Sequence, residues 1–379
     1  MITVFNGMAW GFEHAAFDAA FLAAMTEAYP DEPLHFYAER DHLAHTKNHL
    51  ETAFSGAPVT WRELTPAPRL AEANERVVRD FRVCRTMLAE ARRSRASRLV
   101  ACYLHPLTGV FAMQTLSLLY RDCPVAVIHH GNLRRLVSSR RYHPFLLSFG
   151  HGRLKHIVLG DFIRTSVIER FPSLRTGLYA IRIPGFFEEA TPPSRLSLTK
   201  PITFSFLGLI DEMKGFDDFA RLAETIGPSY NGAARFDLVG GTRVGSLPVI
   251  NEWVHTYSSN GPMPRDVFDA QLRLTTYAVF PYDQWFYRYI ASASVLDALN
   301  AGKPLIALRS PQFEELFQAM GDIGYLCDDF NEMKSVVASI LRDPPHKRYE
   351  EQSQNILTGR RIFEPSSVAT QLRAALLAG

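Results

Sequence analysis

Residues 276–308, TYAVFPYDQWFYRYIASASVLDALNAGKPLIAL, say most about how this chain folds. A run apolar on both sides ends at Pro281, and an irregular polar and aromatic loop follows. A helix is predicted over 292–301, before a second apolar run at 304–308. Gly302 ends that helix, because glycine takes the left-handed conformation that helix C-termini need. Ser292 and Ser294 are residue types that cap a helix amino end. Strand, helix and strand in this order, with the strands apolar on both faces, predict a parallel sheet covered by helices.

The same alternation runs outward in both directions. ITVF (2–5) leads into EHAAFDAAFLAAMTEAY (13–29), where Phe17, Phe21 and Met25 recur every fourth position as in a helix. LHFYA (34–38), VTWREL (59–64), RLVACYL (98–104), PVAVIHH (124–130), HIVLG (156–160) and GLYAIRI (177–183) read as strands. A helix is expected over 68–93 with Leu70, Val77, Val78, Phe81, Cys84 and Leu88 on one side, and others over 108–120 and 161–171. The segment EEATPPSRLSLTKP (188–201) has three prolines and no periodicity, which marks a linker. The alternation then restarts with ITFSFLG (202–208), a helix over 214–226 and RFDLVGG (235–241), and continues to a last helix near 365–378. The expectation is an α/β chain of two doubly wound, Rossmann-like domains facing across a cleft, 1–187 and 202–364, with the helix 365–379 packing back on the first. Ligands in such sheets bind beyond the carboxyl ends of the strands.

Composition narrows the class. The 379 residues are 47% hydrophobic and 21% charged, which excludes a disordered or fibrous chain. Cys84, Cys102, Cys123 and Cys327 stand far apart with no C-x-x-C pair, so neither a structural zinc site nor a disulfide framework is expected, and a reducing compartment fits. The opening MITVFNGMAWGFEH has no signal-peptide pattern, and no stretch approaches the roughly 18 apolar residues of a membrane span. A cytoplasmic protein is expected, at the inner face of the cell membrane if it attaches to one. The net charge of +2 conceals a local imbalance: 134–182 holds ten basic and two acidic residues.

Three segments have the residue types for chemistry. The helix amino end at Ser292, Ala293 and Ser294 is a ready anion site, suited to a diphosphate. Asp297, about one turn further in, can accept hydrogen bonds from ribose hydroxyls; the plainer reading is two caps and an acid offsetting the helix dipole. In FNGMAWGFEHAAFD (5–18), Gly7 and Gly11 allow close approach of a ligand. Glu13, His14 and Asp18 there are candidate general bases, or else ordinary residues of a first helical turn. The stretch NLRRLVSSRRYHPFLLSFGHGRLK (132–155) reads as a long irregular basic loop. Its Arg134, Arg135, Arg140 and Arg141, mixed with Leu, Tyr and Phe, are expected to meet an anionic membrane surface or the acceptor, with a solvated loop as the alternative. Nucleic acid is not expected as a partner. No D-x-D or His/Cys ligand spacing occurs, so no metal or other cofactor is implied.

DALNAGKPLIAL resembles the E-A-x-A-x-G-x-P-hydrophobic signature of GT-B glycosyltransferases, especially the retaining family-4 enzymes. Five further segments resemble that family in the same order. VAVIHHG is similar to its strand ending in His-Gly, HIVLGDFIRTSVIERF to its "V-S-x-x-hydrophobic" strand and helix, and IRIPGFFEE to its "I-P-N-G". ITFSFLGLIDEMKGFDDFARLAE resembles its G-R-x…K-G segment and FDLVGG its "hydrophobic-V-G-x-G". The resemblance implies a GT-B fold and a transferase acting on a nucleotide diphosphate sugar. It implies that Lys214 neutralises the donor diphosphate beside Gly208, that Asp297 binds the donor ribose, and that His130 lies near the transferred sugar.

Two positions depart from the family pattern. Tyr289 stands where the first acid of the paired-glutamate motif belongs, and Leu209 replaces the arginine after Gly208; Arg288 or Arg243 could supply that charge. The expected function is transfer of a hexose from a nucleotide diphosphate sugar to a glycan or lipid-linked acceptor in cell-surface polysaccharide assembly. Retention at the anomeric carbon is expected; inversion would require a base such as Glu13 or His14. The alternatives are a nucleotide-sugar epimerase of the same fold and a non-catalytic nucleotide-sugar binder.

Overall fold

The apolar runs pair side by side, and every strand pairing is parallel in the computed structural model. The structure describes all positions except 55, 65–72, 121, 132, 151–152, 188–197, 199–200, 211, 242–249, 258–262 and 378–379. The expected linker 188–201 therefore lies outside the described residues apart from Leu198 and Pro201. The chain forms two compact units. One comprises Met1–Phe186, Tyr289–Ala291 and Ile362–Gly379, the other Phe187–Arg288 and Ser292–Arg361.

The strands of the first unit are β1 (Ile2–Asn6), β2 (Leu34–Ala38), β3 (Val59–Glu63), β4 (Arg98–Tyr103), β5 (Val125–His129), β6 (Leu154–Leu159) and β7 (Leu178–Ile181). They lie in the order β3-β2-β1-β4-β5-β6-β7. Helices cover both faces, each over its own buried cluster. On one face Ala19, Ala20, Ala23 and Ala24 of the helix Ala15–Ala28 are wholly buried, small enough to admit the last helix, Pro365–Leu377. Val368, Leu372 and Leu376 of that helix join Ile2, Val4 and Phe21 in one core. On the other face the helix Ala73–Arg93 turns Val83, Cys84, Met87, Leu88 and Ala91 inward.

The second unit has β8 (Ile202–Leu209), β9 (Ala234–Gly241), β10 (Val254–Thr256), β11 (Tyr277–Phe280), β12 (Leu305–Leu308) and β13 (Gly324–Cys327), in the order β10-β9-β8-β11-β12-β13. Its core is a set of packed rings: Phe204 stacks with Phe236 and Tyr277, and Phe219 meets Phe206, Phe216 and Phe236. Both units are thus Rossmann-like layers of helix, parallel sheet and helix, the fold class that the sequence predicts.

Several local expectations need correction. Val77 and Val78 are not core residues: they are 41% and 51% exposed. The inward stripe of their helix runs instead through Asp80, Val83 and Met87, because Asp80 is held inside by Arg79 and Thr108. Leu70, placed on the same stripe, lies outside the described residues. The basic stretch 132–155 is not an irregular loop. It forms the helices Leu133–Ser138 and His143–Leu147, with 3-10 turns at Arg140–Tyr142 and Ser148–Gly150. Leu133, Leu136, Val137, Leu146 and Phe149 are buried there, and that apolar anchoring folds the stretch. β10 and β13 were not foreseen.

Candidate functional site

In the second unit the strand order reverses between β8 and β11, and open α/β sheets hold ligands beyond the carboxyl ends of strands at such a point. Gly208, near the end of β8, has φ +94°; a Cβ there would stand 2.5 Å from Ser294 Oγ and 2.8 Å from Lys214 Nζ. Only glycine leaves room for both head groups, and the Lys214 ammonium donates to Ser294 Oγ at 3.1 Å. Lys214 closes the 3-10 turn Glu212–Lys214, so the helix expected over 214–226 begins later, at Phe216. Gly215 between them has φ +69°, and a Cβ there would lie 1.8 Å from the Pro281 carbonyl oxygen, so the Lys-Gly pair sits directly on the end of β11.

The helix Ala293–Asn300 points its amino end into the same place. Ser292 occupies the cap position, but its hydroxyl does not cap the helix. It bonds the Tyr282 hydroxyl at 2.9 Å, deep in the unit, where Tyr282 stacks on Tyr287 with centroids 4.1 Å apart. This aromatic brace fixes where the helix starts. Ala293 is exposed and small, so it leaves the first-turn backbone open. Both a lysine ammonium and the positive end of a helix dipole face this spot, an arrangement that draws an anion.

Asp297 is half-buried and accepts from Arg265 at 2.9 Å; Arg265 also bonds Asp269. Burial raises the Asp297 carboxyl above the usual aspartate range, against the pull of the Arg265 guanidinium. Tyr289 does not share this surroundings: it is buried in the core of the first unit. Leu209 is 41% exposed and Arg288 is exposed on the turn Phe286–Tyr289, while Arg243 lies outside the described residues.

The first unit has its own reversal, between β1 and β4, and histidines gather near it. The rings of His14 and His130 are 5.0 Å apart, with Phe17 edge-on to His130 at 4.2 Å and Tyr103 at 5.3 Å. Burial pushes His130 well below the ordinary imidazole value. The Cys102 backbone accepts one ring hydrogen, and Nε2 is buried without a hydrogen-bond partner. His130 is therefore a neutral ring with an acceptor lone pair to fill. His129 goes the other way: fully interior, it meets His156 Nδ1 at 3.0 Å and stacks beside Phe149. Glu13 Oε1 is 3.9 Å from His14 Nε2, and burial lowers the His14 value.

Asp18 has no exposed surface and is part of the scaffold rather than a base. Asn6 donates to it at 2.6 Å, and His42 meets it at 2.8 Å while its other ring nitrogen faces the Gly11 carbonyl at 2.9 Å. Asn6 Oδ1 also accepts from Met8 N and Ala9 N, and Glu39 accepts from Gly11 N. The glycine-containing loop is pinned from below. Arg135, Arg140 and Arg141 are exposed and Arg134 is half-buried, with Arg135 and Arg141 near the Tyr142 ring.

Sequence reasoning missed Arg265, 32 positions from Asp297, and Tyr282, because neither pairing leaves a local signal. It also missed His105, just beyond β4, whose Nδ1 is 2.8 Å from Thr108 Oγ1 while the Thr108 hydroxyl donates to buried Asp80. Among the described residues, no three His, Cys, Asp or Glu side chains are grouped as metal ligands, and no helix is long and apolar enough to cross a membrane.

No protein-family model and no curated protein matches this sequence. Solved structures do match its fold end to end. WaaG, a glycosyltransferase involved in lipopolysaccharide biosynthesis, superposes with a TM-score of 0.64 over 100% of both chains at 14% identity. HepE from Anabaena, solved in complex with UDP-glucose, gives 0.65 over 100% of this chain and 99% of its own at 12% identity. A glycosyltransferase from Rickettsia africae gives 0.64 over 99% and 98% at 7% identity. At such identities the likeness is one of fold, and the fold is that of GT-B glycosyltransferase structures.

Proposed function

We propose that this protein is a glycosyltransferase that moves a hexose from a nucleotide diphosphate sugar to a glycan or lipid-linked acceptor. The observation that carries the reading is the meeting of Gly208, Lys214 and the helix amino end at Ser292–Ser294 on the switch point of the second sheet. A diphosphate there would be held by the Lys214 ammonium and first-turn amides, and the same groups would stabilise the negative charge that grows on it as the sugar departs. Asp297, oriented by Arg265, would take the ribose hydroxyls. The acceptor would bind on the first unit, near His130 and His14.

Retention of anomeric configuration is part of this reading. In that reading the acceptor proton would pass to the departing phosphate rather than to Glu13 or His14. A role in cell-surface polysaccharide assembly at the cytoplasmic face of the membrane is the biological setting proposed.

Titration calorimetry with UDP-, GDP-, ADP- and CMP-linked sugars tests the site. One donor should bind, and Lys214→Ala and Asp297→Ala should each weaken it about tenfold or more. Unchanged affinity in both variants would remove the assignment. Incubating the bound donor with and without acceptors separates transfer from its rivals: an isomerised sugar without acceptor means epimerisation, and an inert donor means simple binding.

A further inference from the structure

Beyond the carboxyl end of β4 runs a chain of hydrogen bonds that neither the diphosphate cradle nor the His14–His130 pair uses, and it ends on a guanidinium. It starts at Asp80, 4% exposed, which accepts from Arg79 Nη2 at 2.6 Å and from the Thr108 hydroxyl. Having given its hydrogen to Asp80, Thr108 Oγ1 can only accept, and His105 Nδ1 stands 2.8 Å from it. That contact outweighs the longer approach of Thr108 N to the same nitrogen, 3.3 Å. The His105 ring therefore carries its hydrogen on Nδ1 and a lone pair on Nε2. Burial lowers the His105 value, and the guanidiniums of Arg76, Arg135 and Arg79 add to this against the pull of Asp80, so the ring is neutral at pH 7. Its Nε2 faces Arg76 Nη1 at 3.4 Å.

Every hydrogen in this chain points inward, from Arg76 to His105, from His105 to Thr108 and from Thr108 to Asp80. Neutralising the buried carboxylate does not need such a relay, because Arg79 already pairs with it. The relay instead turns Arg76, half-buried on the helix Ala73–Arg93, in a fixed direction. Arg79 Nη2 also donates to the Gly7 carbonyl at 3.3 Å, and Gly7 N to the Tyr103 carbonyl at 2.9 Å. The cluster thus sits at the reversal between β1 and β4, a place where open α/β sheets hold ligands. Tyr103, two positions before His105, meets the His14 ring at 5.0 Å and the His130 ring at 5.3 Å. Three arginines and one acid are the charged groups that face His105, and that acid is the one paired with Arg79. An oriented, fork-shaped guanidinium in basic surroundings recognises a phosphate or a carboxylate.

We propose that Arg76, oriented by the Asp80–Thr108–His105 chain, binds an anionic group, phosphate or carboxylate, on the sugar that enters the first unit. The proposal rests on the transferase reading for calling that sugar the acceptor, and it deepens that reading: the acceptor is acidic. Arg76 is the binding residue, and Asp80, Thr108 and His105 are positioning residues. Arg135 adds charge from the helix Leu133–Ser138.

Titration calorimetry of the intact protein without donor, at constant ionic strength, tests this with glucose 6-phosphate, glucuronate and glucose. One of the two acidic sugars should bind about tenfold or more tightly than glucose, and which one it is names the anionic group. Arg76→Gln should bring that affinity down to the level of glucose, and Arg76→Lys, which keeps the charge but not the fork, should restore only part of it. Arg92→Gln, on an exposed arginine of the same helix, should change nothing. Thr108→Val should weaken the acidic sugar about threefold. Nitrogen NMR of the histidine rings should show the His105 hydrogen shifting from Nδ1 in Thr108→Val, a change that a purely structural role would not produce. Equal binding of all three sugars, or wild-type binding by Arg76→Gln, would overturn the proposal and leave the transferase reading standing, since no donor enters the titration. Unchanged affinity and an unchanged ring in Thr108→Val would overturn the relay. An acidic sugar held at Arg76 by a protein that binds no nucleotide sugar would overturn the transferase reading and leave the anion site in place.

Discussion

Gly208 decides more than a glycine in a strand usually does. Its φ of +94° is one that L side chains rarely adopt, and the space beside it is taken by the ends of Lys214 and Ser294. These two costs fall on different measurements. The backbone strain lowers stability by about 1 kcal/mol, because an alanine there must hold an unfavourable dihedral. The close contacts act on the site, since a lysine end yields readily and would be pushed from the helix amino end it faces. Gly208→Ala is therefore expected to melt only a few degrees lower yet bind the donor about tenfold more weakly. A melting shift with unchanged donor affinity in calorimetry would mean that the Lys214–Ser294 pair is not where the diphosphate sits. Asp297 illustrates the same separation: Arg265 retains Asp269 if Asp297 is removed, so binding should suffer more than folding.

Among the elements, β5 and β6 place two histidines where water cannot follow. His129 and His156 are 2% and 0% exposed, joined at 3.0 Å, and packed against Phe149. Burial holds His129 down to about 3 and His156 well below the ordinary 6.5. The folded protein therefore keeps both neutral at a pH where the unfolded chain, with ordinary histidines, takes up protons. Their contribution is present above about pH 6.5 and is lost as pH falls below it, at up to about 1.4 kcal/mol per pH unit for each ring. His42 has the opposite sign. Its partners, Asp18 above all, raise its value despite burial, so its contribution is present below about pH 6.5 and lost as pH rises through the raised value. Denaturant melts between pH 4 and 7 should show the steep acid loss in the wild type and a flatter slope in His129→Leu/His156→Leu. Equal slopes would mean that other groups carry the acid sensitivity. The elements themselves were legible because their apolar runs are bounded by Gly and Pro, as at β11, Gly302 and β12. What was not legible is pairing at a distance. His129 and His130 are adjacent, and only the fold shows that one faces the interior and the other faces His14. The helical stretch after Asn132 was hidden because its arginines mask the apolar spacing of Leu133, Leu136 and Val137.

At the scale of the whole chain, sequence order and structural membership part company. Ile362–Gly379, at the far end of the sequence, belongs to the first unit. The helix Pro365–Leu377 closes one face of that unit's core through Val368, Leu372 and Leu376. Polar ties add to it: Lys155 Nζ donates to the Leu376 carbonyl at 2.7 Å, Arg182 N to Gln371 Oε1 at 2.8 Å, and Gly185 N to the Phe363 carbonyl at 2.9 Å. Three buried aliphatic side chains at about 1.5–3 kcal/mol each are comparable with the whole net stability of a domain, about 5–15 kcal/mol. Ending the chain after Arg361 would also uncover the alanine face of Ala15–Ala28, which has no side chains long enough to cover itself. The truncated protein should thus lose the first unit while the second, whose core contains none of these residues, keeps its fold. Hydrogen exchange measured by mass spectrometry resolves the two. In the truncated protein, amides of β1, β4 and β5 should exchange as in an unfolded chain. Those of β8, β11 and β12 should stay protected, and the donor that calorimetry identifies should still slow exchange over 208–210 and 292–297. Protection of β1 equal to that of the intact chain would show that the last helix is an accessory to that core rather than one of its walls. Loss of protection in β8 as well would show that the second unit also relies on the deleted residues.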